Sequence, residues 1–339
     1  MDSLTHIALG ACMGDAFAGK QLGKRAMLLG AVAQSVPDVD FLASFWTSES
    51  ENLLAHRGFT HSILFALLIS VPLGMIAERW RRPHDISLKK WIAFFAIQAF
   101  IHLLLDGMNA YGVGWFEPFS HYRVSYNWIF VADPLYSIWL GIAFTALLIL
   151  RNKHPKRKWW IRFGVGMSTI YLLYCGLNKM KIDHDVKTIF HKQQIAYNSY
   201  FTTPTPFNNW LWFVVASNDS GYYIGYRSVF DKEKQMDLLF LPRNDTAMTP
   251  YLDSTGKEDL RNLVRFSQGY YAIQYWGDTL VFNDLRFGQM IGWRDLHARF
   301  AFYYFLQYPG DNELLVQRGR FKGWNREALL SLLRRIKGN

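Results

Sequence analysis

The chain has 339 residues, 37 Lys+Arg against 27 Asp+Glu, and a formal net charge of +10. Hydrophobic residues at 50% and aromatics at 17% supply too much core for a disordered chain. The only two cysteines, Cys12 and Cys175, sit far apart in apolar stretches, which excludes a disulfide scaffold and reads both as small buried hydrophobes.

Charge does not distinguish the two halves. Residues 1–177 hold 16 basic and 11 acidic side chains and residues 178–339 hold 21 and 16, so each half carries +5. Apolar runs do distinguish them, because they occur only in the first half. Ser62–Ala77, Trp91–Leu105, Pro134–Leu150 and Ile161–Leu177 are long and apolar enough to be considered as membrane spans. Leu4–Gly19, interrupted by Asp15, and Ala26–Phe45, interrupted by Pro37-Asp38, precede them, for about six helical segments in all. None has the basic start and small-residue cleavage site of a signal peptide.

The connections between these six segments alternate in charge. The first carries Lys20, Lys24 and Arg25. The third carries Arg79, Arg81, Arg82, Lys89 and Lys90, and the fifth carries Arg151, Lys153, Lys156, Arg157 and Lys158, with Arg162 just beyond. The second has only Arg57 and the fourth only Arg123. Fourteen basic residues against two set the odd connections in the cytoplasm and place the N-terminus and the second half outside it.

Acids and imidazoles are costly in a membrane domain and point to function. Asp2 and His6 open the first segment, and Asp38 and Asp40 lie near the outer end of the second. His56 and His61 flank the start of the third, His102 and Asp106 end the fourth, and Asp133 begins the fifth. All map to one membrane face. His102 and Asp106, four apart on a helix, project from the same side. Each motif also has a plainer reading: a local hydrogen bond for His102-x-x-x-Asp106, a turn or cap for Pro37-Asp-Val-Asp40, interfacial positions for His6 and His56. Their convergence favours a metal. A His–carboxylate set without thiolates suits Zn²⁺, Mn²⁺ or Fe²⁺ better than Mg²⁺ or Ca²⁺.

One or two divalent ions, zinc first, are expected there, to lower the pKa of a bound water and stabilise displacement at phosphorus. Asp40, His61, His102 and Asp106 are the first ligand candidates, with His6 and Asp38 completing a second position through Asp106. His56 is a candidate general acid or orienting partner, and Asp133 a carboxylate that orients a ligand histidine. Arg57 and Arg123 are placed either to grip a phosphate or to anchor at the interface. Two rivals remain open: an ion-coupled transporter, and a non-catalytic scaffold with a structural metal.

Met1-Asp-Ser-Leu-Thr-His6-x-x-x-Gly10, Pro37-Asp-x-Asp40, His56-Arg-Gly-x-Thr-His61-Ser62, His102-x-x-x-Asp106 and Asp133-Pro-Leu together resemble the YdjM (DUF457) family of bacterial inner-membrane, predicted metal-dependent hydrolases. The resemblance is expected to continue through Trp212 and Asp284-Leu-Arg-Phe287. It implies a hydrolase and fixes no substrate. More distantly, the order His6, Asp38 or Asp40, His61, His102-x-x-x-Asp106 is similar to the metal sites of zinc-dependent phospholipase C and P1-type nucleases. Those enzymes add an N-terminal Trp ligand and a later His…His-x-x-x-Glu set. Here the first residue is Met1, and Glu117 and His121 occur in the reverse order.

The second half reads as a soluble α+β module lying outside the cytoplasm. Val186–Ala196 reads as linker or short helix and Thr202–Pro206 as a stiff lead-in. Trp210–Ser217, Tyr222–Phe230, Met236–Leu241, Tyr270–Trp276 and Thr279–Asn283 read as strands. Glu258–Phe266 and Asn325–Ile336 read as helices, the latter capped by Asn325. The fold class expected is an all-α multi-pass membrane bundle with a phospholipase C/P1 nuclease-like metal core over 1–177, followed by α+β over 178–339. The function expected is hydrolysis of a phosphoester in a lipid or lipid-linked molecule at the outer face of a bacterial inner membrane. The lipid bilayer is the partner, and nucleic-acid binding has no support because membrane topology accounts for the basic clusters.

Overall fold

The structure is a computed structural model that describes residues 1–80, 86–244, 252–307, 312 and 324–338. The chain divides into two compact units: Met1–Ala43 with Ala55–Tyr174, and Ser44–Leu54 with Cys175–Asn339.

The first unit is helical. It contains α1 (Ser3–Leu22), α2 (Lys24–Ser35), a 3₁₀ segment Pro37–Phe45, a second 3₁₀ turn Phe59–His61, α4 (Ile63–Trp80), α5 (Leu88–Asp106) and α6 (Pro134–Ile149). A short helix α3 (Glu49–Ala55) lies mostly in the second unit, and α7 (Arg157–Lys192) begins in the first unit and ends in the second. Asp2 caps α1 by accepting from the Thr5 N–H, and Asp133 caps α6 with Pro134 at its first position.

Small residues let α1 and α2 pack backbone against backbone. A Cβ added to Gly14 would lie 2.1 Å from the Ala26 carbonyl, and one on Gly30 would lie 2.0 Å from the Gly10 carbonyl. Further along α1, Asp15 is buried and receives two bonds from Arg157, from Nε at 3.1 Å and from Nη2 at 2.7 Å. Arg157 Nη1 also donates to the Leu147 and Leu150 carbonyls, closing the C-terminal end of α6. The acid that interrupts the first apolar stretch is therefore neutralised internally.

The count of about six spans is corrected. Among the described residues two helices, α4 and α5, are long and apolar enough to cross a bilayer, and a third crossing arises if α2 and the 3₁₀ segment, bent by 58°, act as one. The reasons lie in length and polarity. A span needs about 20 apolar residues; α6 has 16, α1 carries Asp15 and Lys20, and α7 is polar over much of its length. Arg81 and Arg82, counted in the third connection, lie outside the described residues.

The second unit holds a four-stranded antiparallel sheet in the order β1 (Ser199–Pro204), β2 (Leu211–Ser217), β3 (Gly221–Ser228), β4 (Leu238–Pro242). A three-stranded sheet follows from β5 (Tyr271–Trp276), β6 (Thr279–Asp284) and β7 (Tyr303–Phe305). Both faces of β2 are covered. Leu211, Phe213 and Val215 pack with Leu332 and Ile336 of α9 (Arg326–Ile336), whereas Trp212, Val214 and Ala216 pack with Ile182, Val186, Ile189 and Phe190 of α7. That explains its unbroken apolar run. Helix α8 (Ser254–Phe266) matches the expected helical stretch with an earlier start. Two expectations are corrected: residues 186–192 continue α7 instead of forming a separate linker or short helix, and the Thr-Pro lead-in begins as strand β1, an edge strand that tolerates Pro204.

Two substitutions test the helix packing. Gly30→Val forces a branched side chain onto the Gly10 backbone and costs about 1–3 kcal/mol or more; Asp15→Ala leaves the Arg157 charge buried and unpaired, at about 3–5 kcal/mol. Both appear as lowered thermal transitions in detergent, against an unchanged transition for a surface control.

Candidate metal centre

Four polar side chains from three elements meet at one end of the bundle: Asp38 of the 3₁₀ segment after α2, His61 just before α4, and His102 and Asp106 in the last turns of α5. One donor from each lies within 4.8 Å of every other. Between Asp38 Oδ1, His61 Nε2, His102 Nε2 and Asp106 Oδ2, five of the six edges are 3.2, 3.4, 3.5, 3.5 and 3.5 Å. Four ligands at roughly 2.0–2.1 Å around a tetrahedral ion stand about 3.3 Å apart. The donors thus fit the edges of such a tetrahedron. Asp106 Oδ2 is buried and, among the described residues, receives no hydrogen bond of good geometry; the Arg57 guanidinium faces it with Nε at 3.0 Å.

The surrounding groups set the orientation of both rings. His102 Nδ1 donates to the Gln34 carbonyl at 2.6 Å, which leaves the Nε2 lone pair facing the cluster. His61 Nδ1 faces Asp40 Oδ2 at 3.3 Å and the Thr60 hydroxyl at 3.2 Å. Asp40 therefore stands behind the His61 ring, on the side away from the four donors, and Asp38 occupies the nearer position. Burial opposes a charge on His61, but hydrogen bonds to Asp106, Asp38 and Asp40 outweigh it and push its pKa up to about 10. In the metal-free protein this ring is an imidazolium among carboxylates.

His6 stacks on His102, with ring centroids 3.8 Å apart, and its Nε2 lies 3.1 Å from Asp106 Oδ1, the oxygen that the Met1 amino group also pairs with. His6 thus meets the outward oxygen of Asp106 and stands outside the four-donor set. His56 Nδ1 is 3.3 Å from Asp40 Oδ1, and its side chain is 38% exposed. Asp38 is 27% exposed, and these two residues form the open side of an otherwise buried cluster.

Arg57 and Arg123, expected to grip a phosphate or anchor at the interface, and Asp133, expected to orient a ligand histidine, are engaged elsewhere. Arg57 is buried: Nη1 donates to Asn109, Nη2 to the Met1 carbonyl, and Nε lies 3.0 Å from Asp106 Oδ2. Arg123 gives two bonds of 3.0 Å to the His56 carbonyl. Both guanidinium groups are turned into the protein and brace the His56-Arg57 segment. Asp133 is buried with one oxygen on the Leu135 N–H and the other on the Tyr171 hydroxyl, so it is a helix cap, and burial raises its pKa. Reading the motifs one at a time missed Gln34 and Asn109. Gln34 acts through its backbone carbonyl, which no side-chain pattern reveals. Asn109 lies three residues beyond Asp106, the one signal available for it.

Residues 1–182, more than half of the chain, match the family described as YdjM inner membrane protein. The chain belongs to that family. Inner membrane protein YbcI of Escherichia coli K12 is 32% identical over 127 residues, covering 37% of this chain and 72% of YbcI. YfhP of Bacillus subtilis, an uncharacterized protein, is 28% identical over 170 residues, covering 44% of this chain and 51% of YfhP. No solved structure matches the chain. All four clustered donors, with Asp40, His56 and Arg57, fall inside the YdjM match. The expected continuation beyond it is corrected, since the match ends at residue 182. In the structure Trp212 is a fully buried core residue and Asp284 pairs with Arg286.

Metal analysis tests the cluster. Purified protein is expected to retain Zn²⁺, and His102→Ala and Asp106→Ala to lose it. Asp40→Ala is expected to keep the ion with about 10–100-fold weaker affinity, because it removes only the group behind His61. The ion must displace the His61 proton, so affinity rises with pH until the imidazolium titrates near pH 10, measured with a competing chelator.

Proposed function

We propose that this YdjM-family chain is a membrane-bound, metal-dependent hydrolase acting on a phosphoester in a lipid or lipid-linked substrate at the extracytoplasmic face of the inner membrane. The observation that carries this reading is the four-donor cluster with tetrahedral edges, closed on most sides and open beside Asp38 and His56. Two histidines and two carboxylates suit zinc, with manganese or iron as alternatives. The N-terminal 177 residues form the metal-binding membrane part and residues 178–339 the extracytoplasmic module. The excess of basic residues in the connections at the opposite end of α4 and α5 supports that orientation.

Asp38, His61, His102 and Asp106 would hold the ion. When bound there, a divalent ion supplies Lewis acidity, which favours ionised water and offsets charge on phosphoryl oxygens. Asp40 holds the His61 ring in place. His56 is the candidate to move a proton: Nδ1 lies 3.3 Å from Asp40 Oδ1, and a neutral ring that donates there keeps Nε2 as a lone pair. Arg57 and Arg123 keep that segment in register by bonding backbone carbonyls and Asp106.

Reconstituted protein supplied with bacterial phospholipids is expected to release a phosphate-bearing product, detected by mass spectrometry, and to stop when metal is chelated. His56→Gln is expected to lower kcat by about 10²–10⁴-fold while zinc content stays normal. A metal-replete protein inert toward lipid and soluble phosphoesters alike refutes the assignment. Orientation is read from cysteine accessibility: Asn127→Cys should label from outside the cell and His154→Cys should not, and the reverse result inverts the topology.

A further inference from the structure

The connection between α5 and α6 makes a closed loop over the candidate site. Val113 and Val124 exchange backbone bonds of 3.0 and 2.9 Å. The Gly114 N–H donates to the Arg57 carbonyl at 2.9 Å, and Arg123 grips the His56 carbonyl, so both ends of residues 114–123 are clamped to the segment that carries His56. Trp115 ties the same loop to the two spanning helices. Its carbonyl accepts from the Ile63 N–H at the start of α4, and its indole N–H donates to the Leu103 carbonyl near the end of α5. The loop tip thus sits level with the ends of both spans.

That tip exposes three aromatic rings around a Glu117–His121 ion pair of 2.8 Å. Phe119 is 84% exposed, and Phe116 and Tyr122 are exposed with it. Below them the outward faces of α4 and α5 expose Leu67, Leu68 and Phe100, the surface that lipid chains cover if these helices span. Aromatic side chains at the end of a span fit the headgroup boundary, where an apolar ring and a polar edge are both accommodated.

We infer that Phe116, Phe119 and Tyr122 form a membrane-inserted tip that docks in the headgroup region of the lipid leaflet and holds the open side of the metal cluster against phosphate-bearing lipid headgroups. Docking follows from the placement of the loop beside α4 and α5. The choice of a lipid phosphate over a soluble phosphoester as the ligand rests in addition on the function proposed above.

The test uses the full-length chain in phosphatidylethanolamine/phosphatidylglycerol vesicles, with an environment-sensitive fluorophore at Phe119→Cys and, separately, at Ser120→Cys. Cys12 and Cys175 are buried, and Lys153→Cys serves as the water-exposed reference. Blue-shifted emission that is quenched by nitroxides near the lipid headgroup and protected from aqueous iodide is expected at both loop positions. Emission matching Lys153→Cys, with iodide quenching and no lipid quenching, overturns the inference. Zinc content measured on the same samples reports the metal cluster independently, so a failed anchor and a failed metal site are told apart. Cleavage of a short-chain soluble phosphoester as readily as the lipid in vesicles, with the loop inserted, refutes the lipid preference and leaves the anchor standing.

Discussion

Two imidazoles and two carboxylates share one corner at the end of the helical unit, and their mutual charge is the constraint around which that unit is organised. Carboxylates this close and this buried repel each other strongly unless cations separate them. The protein without an ion meets the demand with the His61 imidazolium and the Arg57 guanidinium beside Asp106. A divalent ion at the same point answers the same charge, and the edge lengths near 3.4 Å leave room for it without moving a helix.

The supporting parts serve that corner in order of distance. Asp40 and the Gln34 carbonyl fix the rings, Arg57 and Arg123 fix the connection before α4, and the glycine contact between α1 and α2 brings His6 against His102. At the other end of α1, Asp15 and Arg157 pair in place of water. Desolvated charges occur at both ends of the bundle, and each is matched.

Much of the centre was legible in the sequence because its residues are of costly types in costly places. His61, His102 and Asp106 stand out against apolar neighbours, and the four-residue spacing of the last two fixes a shared helix face. The choice between Asp38 and Asp40 was not legible, since a 3₁₀ segment turns the two side chains by an amount that a Pro-Asp-x-Asp pattern does not reveal. Nor were the roles of Arg57 and Arg123, because a lone cation near a candidate phosphate site reads the same whether its guanidinium faces in or out. The span count failed because an apolar stretch need not be a span: α6 is too short, α1 carries Asp15 and Lys20, and α7 is polar over much of its length. In the second unit the strands of alternating or continuous apolar character were readable. Strand β1 was hidden by its threonines and prolines, and the end of α7 by polar residues on its outer face.

Arg57 illustrates how closely one position can be bound. Its backbone is left-handed, with φ at 57°, a conformation that side-chain-bearing residues adopt at a cost. That turn is what aims its N–H at Asp40 and its carbonyl at Gly114. Glycine would relax the backbone and forfeit the guanidinium. Lysine would keep a charge and lose the planar fork that reaches Asn109, Met1 and Asp106 together. Only glycine adopts this backbone freely and only arginine supplies the planar guanidinium, so any substitution at position 57 gives up the ion contacts, and most keep the backbone cost as well.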